Sequence, residues 1–295
     1  MDRETAEQII DGYYCKEHRS EDDFFELTEA LKYLIDTTGV TRYMMMLGGQ
    51  YYERRDFDLA LKYYDMASEK GDSDADECLG YVYYYGRVGE PDYEKAFMYF
   101  SRGMERGNVV SAYKVADMYK NGYFVERDYG KYAEIVESLW SQYSSPAGLS
   151  MYEPYPEIGT RMAGVLMKRG ENGKALDILY RVRPFLEYRM RHTDFFGNFT
   201  IMKFMIADIY RLTPVDYSDF GFYDLYEILK TPCTVSFMLG TAKHVVKSEE
   251  DEGVMVVSLD GKYYRNIDAF MSGATCDGER LAALTNDMYL FRKES

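Results

Sequence analysis

The sequence predicts a mainly α protein: a solenoid of stacked helix pairs over residues 1–212, followed by a small α+β domain with an antiparallel sheet over residues 213–295. Three observations predict it. Asp56, Asp92 and Asp128 lie 36 residues apart, as do Gly71 and Gly107, Leu79 and Val115, Tyr83 and Tyr119, and Gly86 and Gly122. One block is therefore written twice and begun a third time, and a repeat of that length is an array of helix pairs that bury their faces on their neighbours. Beyond Thr213-Pro214 the apolar spacing changes from a helical period to short runs such as 234–239 and 254–259, which read as strands. Asp260-Gly261, between two of those runs, is a hairpin dipeptide, because both turn residues must take positive φ.

Residues 1–40 form the expected cap. Helices are predicted near 6–15 and 22–35, the second presenting Phe24, Phe25, Leu27, Leu31, Leu34 and Ile35. Acid-rich first turns suit the positive ends of the helix dipoles. Such an element covers the apolar face that the first repeat of a solenoid otherwise leaves open. Clear repeats follow over 41–142, each a helix A, a loop and a helix B. In the first, Met44, Leu47, Gly48 and Tyr51 make the A stripe, and Asp56 caps a B helix carrying Leu59, Ala60, Tyr63, Tyr64 and Ala67. In the second, Asp74 precedes an A helix with Ala75, Leu79, Gly80 and Tyr83, and Asp92 caps a B helix with Ala96, Tyr99, Phe100 and Gly103. In the third, Ala112, Val115, Ala116 and Tyr119 precede Gly122, and Asp128 caps a longer helix with Ile135, Val136, Leu139 and Trp140. Gly48, Gly80 and Ala116 fall where helix A must let its partner approach, and Gly86 and Gly122 where the chain needs a left-handed cap.

Ala75, Leu79, Gly80, Tyr83, Gly86, Asp92, Lys95, Ala96, Tyr99, Phe100 and Gly107 follow one pattern in order: alanine, Leu-Gly, tyrosine, a glycine loop, aspartate, Lys-Ala, paired aromatics and a closing glycine. On these residues the stretch 41–132 resembles Sel-one-like repeats, a subclass of the tetratricopeptide family. The third unit departs, with Ala116 for the glycine and Tyr132 for the alanine, so its helices are expected to splay. The first unit is four residues shorter between its helices. The resemblance implies a right-handed α/α superhelix that holds a peptide segment of another protein on its concave helix A surface. On that implication Tyr81, Tyr85, Lys114, Asp117 and Asn121 face the partner.

Pro146, Pro154 and Pro156 interrupt the pattern across 143–158. Degenerate helical hairpins are expected over 155–212. They comprise a helix at 158–168, a turn at Asn172-Gly173, a helix at 175–192 that Pro184 should kink or divide, and a helix at 198–212. The last is striped by Ile201, Phe204, Met205 and Ile209 and interrupted by Asp208. In the final domain a short helix is expected within 216–229, with strands at 234–239, 244–247, 254–259 and 262–264. The acidic run 248–253 reads as a hairpin loop, a short helix begins at 267, and Asp277 caps a closing amphipathic helix with Leu281, Leu284, Met288, Tyr289 and Phe291 inward.

Composition narrows function by exclusion. With 50 acidic against 35 basic residues the net charge is -15, opposite in sign to a protein that binds nucleic acid by releasing counterions from phosphates. Cys15, Cys78, Cys233 and Cys276 are scattered, as are His18, His192 and His244, so neither a zinc site nor a disulfide framework is expected. No phosphate-binding or dinucleotide motif occurs, and no cofactor is expected. His244 and Cys276 have no local catalytic signature and read as inert. Glu249, Glu250, Asp251 and Glu252 lack the spacing of a calcium loop and read as solvated. The N-terminus begins Asp2, Arg3, Glu4 and reaches no apolar segment, and no run approaches a membrane span, so a cytoplasmic, bacterial protein is expected.

One stretch departs from the acidic background: residues 161–192 hold eight bases against three acids. Two readings stay open. Arg181, Arg183, Arg189 and Arg191 with His192 line a groove for an acidic or phosphorylated peptide, or they pair with the acidic N-terminal helices or a neighbouring chain. The expected function is a scaffold or adaptor that binds another protein and has no catalysis of its own. Two alternatives remain: the final domain is an effector or enzyme module that the repeats target, or exposed repeat faces join two copies in a homodimer.

Overall fold

The computed structural model describes residues 1–144, 155–192, 196–213, 221–239, 241–276, 278–284 and 288–294. Backbone contacts divide the chain into two compact units, residues 1–139 and 140–295.

The first unit is a run of helices: α1 (Arg3–Cys15), α2 (Glu21–Thr38), α3 (Thr41–Glu53), α4 (Phe57–Glu69), α5 (Ser73–Tyr84), α6 (Tyr93–Glu105), α7 (Val109–Asn121) and α8 (Tyr129–Tyr143), the last crossing the boundary. The 36-residue recurrence of aspartate has a local cause. The side chains of Asp56, Asp92 and Asp128 accept hydrogen bonds from the backbone N–H groups of Leu59, Lys95 and Lys131, so each caps a helix B. Helix α5 is capped by Asp72, and Asp74, expected to precede it, lies in its first turn. Ser20 and Asp23 form a reciprocal capping box at the start of α2. The cap helices bury Ala6, Ile10, Leu27, Leu31 and Leu34 against Met44, Leu47 and Tyr63. Phe25 points into solvent, contrary to expectation, because Leu27, Leu31 and Leu34 already fill that face.

The small residues of helix A are explained by single contacts. A Cβ on Gly80 would fall 2.5 Å from Cδ1 of Phe100, and one on Gly48 would fall 2.6 Å from Cε1 of Tyr64. The third unit carries Ala116 in place of the glycine, and the position matching Phe100 is Val136, also fully buried. Helices α3 with α4, and α5 with α6, are among the most closely packed pairs in the molecule. A buried ion cluster joins the repeats. Asp76, fully buried on α5, accepts from the Ser68 hydroxyl at 2.6 Å, from Arg102 Nε at 2.7 Å and from Arg106 Nη1 at 2.7 Å.

The second unit contains α9 (Tyr155–Lys168), α10 (Asn172–His192), α11 (Phe196–Leu212), a 3-10 turn at Phe222–Asp224 leading into α12 (Leu225–Ile228), and α13 (Ile267–Gly273). Its sheet has the order β4-β3-β2-β1-β7 and is antiparallel throughout, built from β1 (Cys233–Leu239), β2 (Ala242–Asp251), β3 (Val254–Leu259), β4 (Lys262–Tyr264) and β7 (Met288–Glu294). Strands β5 (Thr275–Cys276) and β6 (Glu279–Arg280) form a separate ladder. One core runs from Leu179, Met205 and Ile209 on the helices to Phe237, Val246 and Phe270 around the sheet. The division expected at residues 212 and 213 therefore falls inside this unit.

Four expectations for this half are corrected. Helix α10 continues undivided through Pro184, which is exposed. Phe204 lies outside the α11 stripe at 68% exposure, while Met202, Met205, Ile206 and Ile209 are buried. The acidic run is not a loop: Ser248 to Asp251 belongs to β2, paired with Val257, Val256, Met255 and Val254, and only Glu252-Gly253 turns, both at positive φ. The closing amphipathic helix does not form. Its residues make β6, a 3-10 turn at Leu281–Ala283 and β7, because the apolar run at 288–291 pairs with β1, a partner about fifty residues away that no local period reveals. Asp277, its expected cap, lies outside the described residues.

Candidate interaction surface

An i, i+4 spacing on α5 puts Glu77, Tyr81 and Tyr85 on one side of the helix, with Tyr84 beside them. The rings of Tyr81 and Tyr85 stack with centroids 5.8 Å apart, and Tyr81 meets Phe100 edge-on at 5.4 Å. From α7, the Lys114 ammonium lies 4.9 Å from the Tyr81 ring centre and 5.2 Å from that of Tyr84. Tyr93 and Tyr123 stack at 4.7 Å, and Tyr84 packs edge-on against both. The result is a platform of packed aromatic rings crossed by the Lys114 ammonium. Tyr81 is largely enclosed, and Tyr85 projects with 51% of its surface exposed.

Electrostatics at this platform are perturbed by burial. The Glu77 carboxyl is raised above its ordinary value chiefly by burial, with Asp74 adding repulsion, while a 3.0 Å hydrogen bond from Asn108 Nδ2 and the Lys114 charge act the other way. The Tyr84 hydroxyl is pushed up to about 12, again mainly by burial, then by Tyr123 and Asp117. Tyr81 is raised by burial and by Tyr113. Asp117 is half-buried on the next turn of α7, and Asn121 is exposed at its end. The arrangement offers ring faces, one ammonium and a partly desolvated carboxyl, groups able to bind and orient a ligand. Sequence reading missed Glu77, Tyr84, Tyr93 and Tyr123. The available signal was the spacing of Glu77 four residues before Tyr81.

A second feature adjoins the platform. Arg54, Arg55, Phe57 and Arg87 line a depression of about 460 Å³ on the loop edge of the first two repeats, together with Asp56 and Asp58. Arg87 donates to the Tyr52 hydroxyl at 3.1 Å and lies 5.4 Å from the Tyr85 ring centre. Arg54 is held by both oxygens of Glu21, at 2.9 and 2.8 Å. The adjacent Arg54-Arg55 in the shortened first loop was the readable sign.

The arginine cluster on α10 is drawn into its own unit. Arg183 makes two hydrogen bonds, 3.0 and 2.6 Å, to the carboxylate of Asp224, which is fully buried, and a third of 2.7 Å to Glu187. Arg189 bonds Glu157 at 2.8 Å. Arg181 bonds the Ser144 carbonyl at 2.7 Å and covers the Trp140 ring. Arg191 donates to the Glu187 carbonyl at 3.2 Å, and His192 stacks on Tyr188. A net charge counted along the sequence overlooked Asp224 and Glu157, both brought in from other elements. Arg183 and Arg189 are thus structural, with the acidic partners supplied from within.

His244 and Cys276, read as inert, come together. Cys276 Sγ lies 3.6 Å from His244 Nε2, and His244 Nδ1 lies 2.7 Å from Asp260 Oδ2. Among the described residues no group of three or more His, Cys, Asp or Glu side chains is disposed to hold a metal ion, and no helix is long and apolar enough to cross a membrane.

The first unit is thereby a helical-repeat solenoid. The Sel1 repeat pattern matches residues 39–72, 79–108 and 109–133, so this segment consists of three Sel1 repeats. Such repeats serve generally as non-catalytic scaffolds for protein interaction. No curated protein matches the chain in sequence. Among solved structures, a Sel1 repeat protein from Oxalobacter formigenes is similar with 18% identity over 61% of this chain and 67% of that one, at a TM-score of 0.47. The protein c5321, a protective antigen of uropathogenic Escherichia coli displaying an SLR fold, is similar with 16% identity over 72% of this chain, at a TM-score of 0.50. This chain spans about half the length of c5321 (51%), and the likeness concerns the fold.

Proposed function

We propose that the first unit is the recognition element of a scaffold or adaptor and holds a peptide segment of another protein across α5 and α7. The observation that carries this reading is the exposed Tyr85 ring, stacked on an immobile Tyr81 beside the Lys114 ammonium. Aromatics already fixed by stacking lose little further entropy on binding, which makes them suitable anchors. The cationic contributions of Lys114 and Arg87 favour a segment that carries acidic or phosphorylated residues near an apolar one. Binding requires no cofactor and involves no covalent step.

A photo-crosslinking amino acid placed at Tyr85, with a second protein carrying it at Glu94 on the B-helix side, tests the proposal in lysate of the source cells. The reading expects one polypeptide captured at position 85 and absent at 94, the crosslinked peptide being mapped by mass spectrometry and lost on Lys114→Glu. Equal capture at both positions, or capture unaffected by Lys114→Glu, refutes it.

A further inference from the structure

We infer that Cys276 is a reactive thiol, its thiolate stabilised by His244, and that it is a site of covalent modification by soft carbon electrophiles. The site is assembled by topology. The β1–β2 register places His244 opposite Phe237, and the two rings stack at 5.4 Å, which covers one face of the imidazole and leaves its side chain 13% exposed. Asp260 occupies the first position of the β3–β4 turn at φ +48°, where its Oδ1 accepts the Val245 N–H at 2.8 Å and its Oδ2 meets His244 Nδ1 at 2.7 Å. A carboxylate pinned by the backbone therefore orients the ring.

The sulfur completes the cluster from β5. Its distances to Nε2 and Nδ1, 3.6 and 3.9 Å, are nearly equal. A sulfur on the Nε2 lone-pair axis would be much farther from Nδ1 than from Nε2, so Cys276 lies alongside the ring. In this position a protonated ring would stabilise the thiolate through charge, without an in-line proton relay. Among the described residues, charged neighbours in the pairing are Asp260, Glu279, which pairs with Cys276 across the β5–β6 ladder, and Arg280, which pairs with Thr275. Glu279 is exposed and its opposing charge is screened by water.

The remaining cysteines lack this arrangement. Cys78 is pushed up to about 12 by burial, Cys233 is engaged by Ser248 and the Ile228 carbonyl, and Cys15 is exposed without an imidazole among its described contacts. They supply internal references. In the modification step the thiol proton leaves to water, with His244 as the counter-cation. The thiolate then forms an S–C bond as the leaving group departs with its electron pair, iodide in the case of iodoacetamide.

Alkylation of the intact, folded chain by iodoacetamide from pH 5 to 9.5, followed residue by residue by mass spectrometry, tests this. At pH 7 Cys276 should react about tenfold faster than Cys15. In His244→Gln that advantage should vanish at pH 7 and the rate should approach the parent's at pH 9.5, where all exposed thiols are ionised. Asp260→Asn should give a smaller loss. The inference is overturned if Cys276 reacts no faster than Cys15 in the parent chain, a comparison that needs no variant to fold, or if His244→Gln leaves its pH profile unchanged.

Discussion

Replacing Gly80 with alanine tests the close approach that builds the second repeat. The added Cβ would lie 2.5 Å from both Cδ1 and Cε1 of Phe100, a ring with no exposed surface and no flexible end to swing away. Overpacking of this kind costs about 1–3 kcal/mol, against a gain of about 1 kcal/mol because alanine is the better helix former, so a net loss of up to about 2 kcal/mol is expected. Phe100→Val alone leaves a cavity and should cost roughly 2–3 kcal/mol. Combining them copies the third repeat, where Ala116 and Val136 stand at the same two positions. With the ring gone, only the helix-propensity gain of alanine remains, so the double variant should be more stable than Phe100→Val by up to about 1 kcal/mol. Alanine at 80 thus changes sign with the residue at 100. Urea unfolding by far-ultraviolet circular dichroism, with hydrogen exchange resolved over α5 and α6, measures all four corners of the cycle. A double variant at the plain sum of the two losses refutes the reasoning.

Other perturbations probe single features. Asp76→Ala leaves Arg102 and Arg106 half-buried without their shared carboxylate, and a loss of about 3 kcal/mol in urea unfolding is expected; a loss below 1 kcal/mol would mean that water replaces the carboxylate. Ser111→Ala removes a buried hydroxyl that has no hydrogen-bond partner, and the melting temperature should hold or rise. The Glu77 carboxyl is raised in the folded state, so its contribution is present at low pH and is lost as pH rises through the folded value. Glu77→Gln should therefore gain melting temperature relative to the parent at pH 7 and lose that gain at pH 4. Arg183→Ala strands the buried Asp224 and should cost about 3–5 kcal/mol, whereas Arg181→Ala, at an exposed position, should change stability by about 0.5 kcal/mol or less.

Features with local causes were legible in the sequence. Asp56, Asp92 and Asp128 recur because each caps the helix that follows it, and Gly48 and Gly80 because an aromatic ring from the paired helix occupies the space of a side chain. The buried clamp was not legible. Asp76 aligns with Ala112 in the next repeat, so no period announces it, and its partners Ser68, Arg102 and Arg106 come from the helices on either side. Strand β7 was misread for a related reason: Met288 to Phe291 is too short a run for period to decide, and pairing with β1 decides it instead. Counting charge along α10 failed in the same way, since the acids that hold Arg183 and Arg189 arrive from residues 224 and 157. His244, Asp260 and Cys276 spread over 32 residues and match no motif; only the sheet register assembles them.

The same alignment that fixes the core leaves helix A free to vary where binding is proposed. Tyr81 corresponds to Gly49 in the first repeat and Asp117 in the third, Tyr85 to Glu53 and Asn121, and Glu77 to Met45 and Tyr113. Positions beneath them hold their character: Leu47, Leu79 and Val115 are all buried, as are the helix-contact residues Gly48, Gly80 and Ala116. A segment lying across the repeats would meet a small apolar and acidic stretch, then the tyrosine stack with Lys114, then a polar one. Such a surface distinguishes the two directions of a bound chain. A partner read in one direction should therefore lose affinity when its sequence is reversed, even though composition and net charge are unchanged.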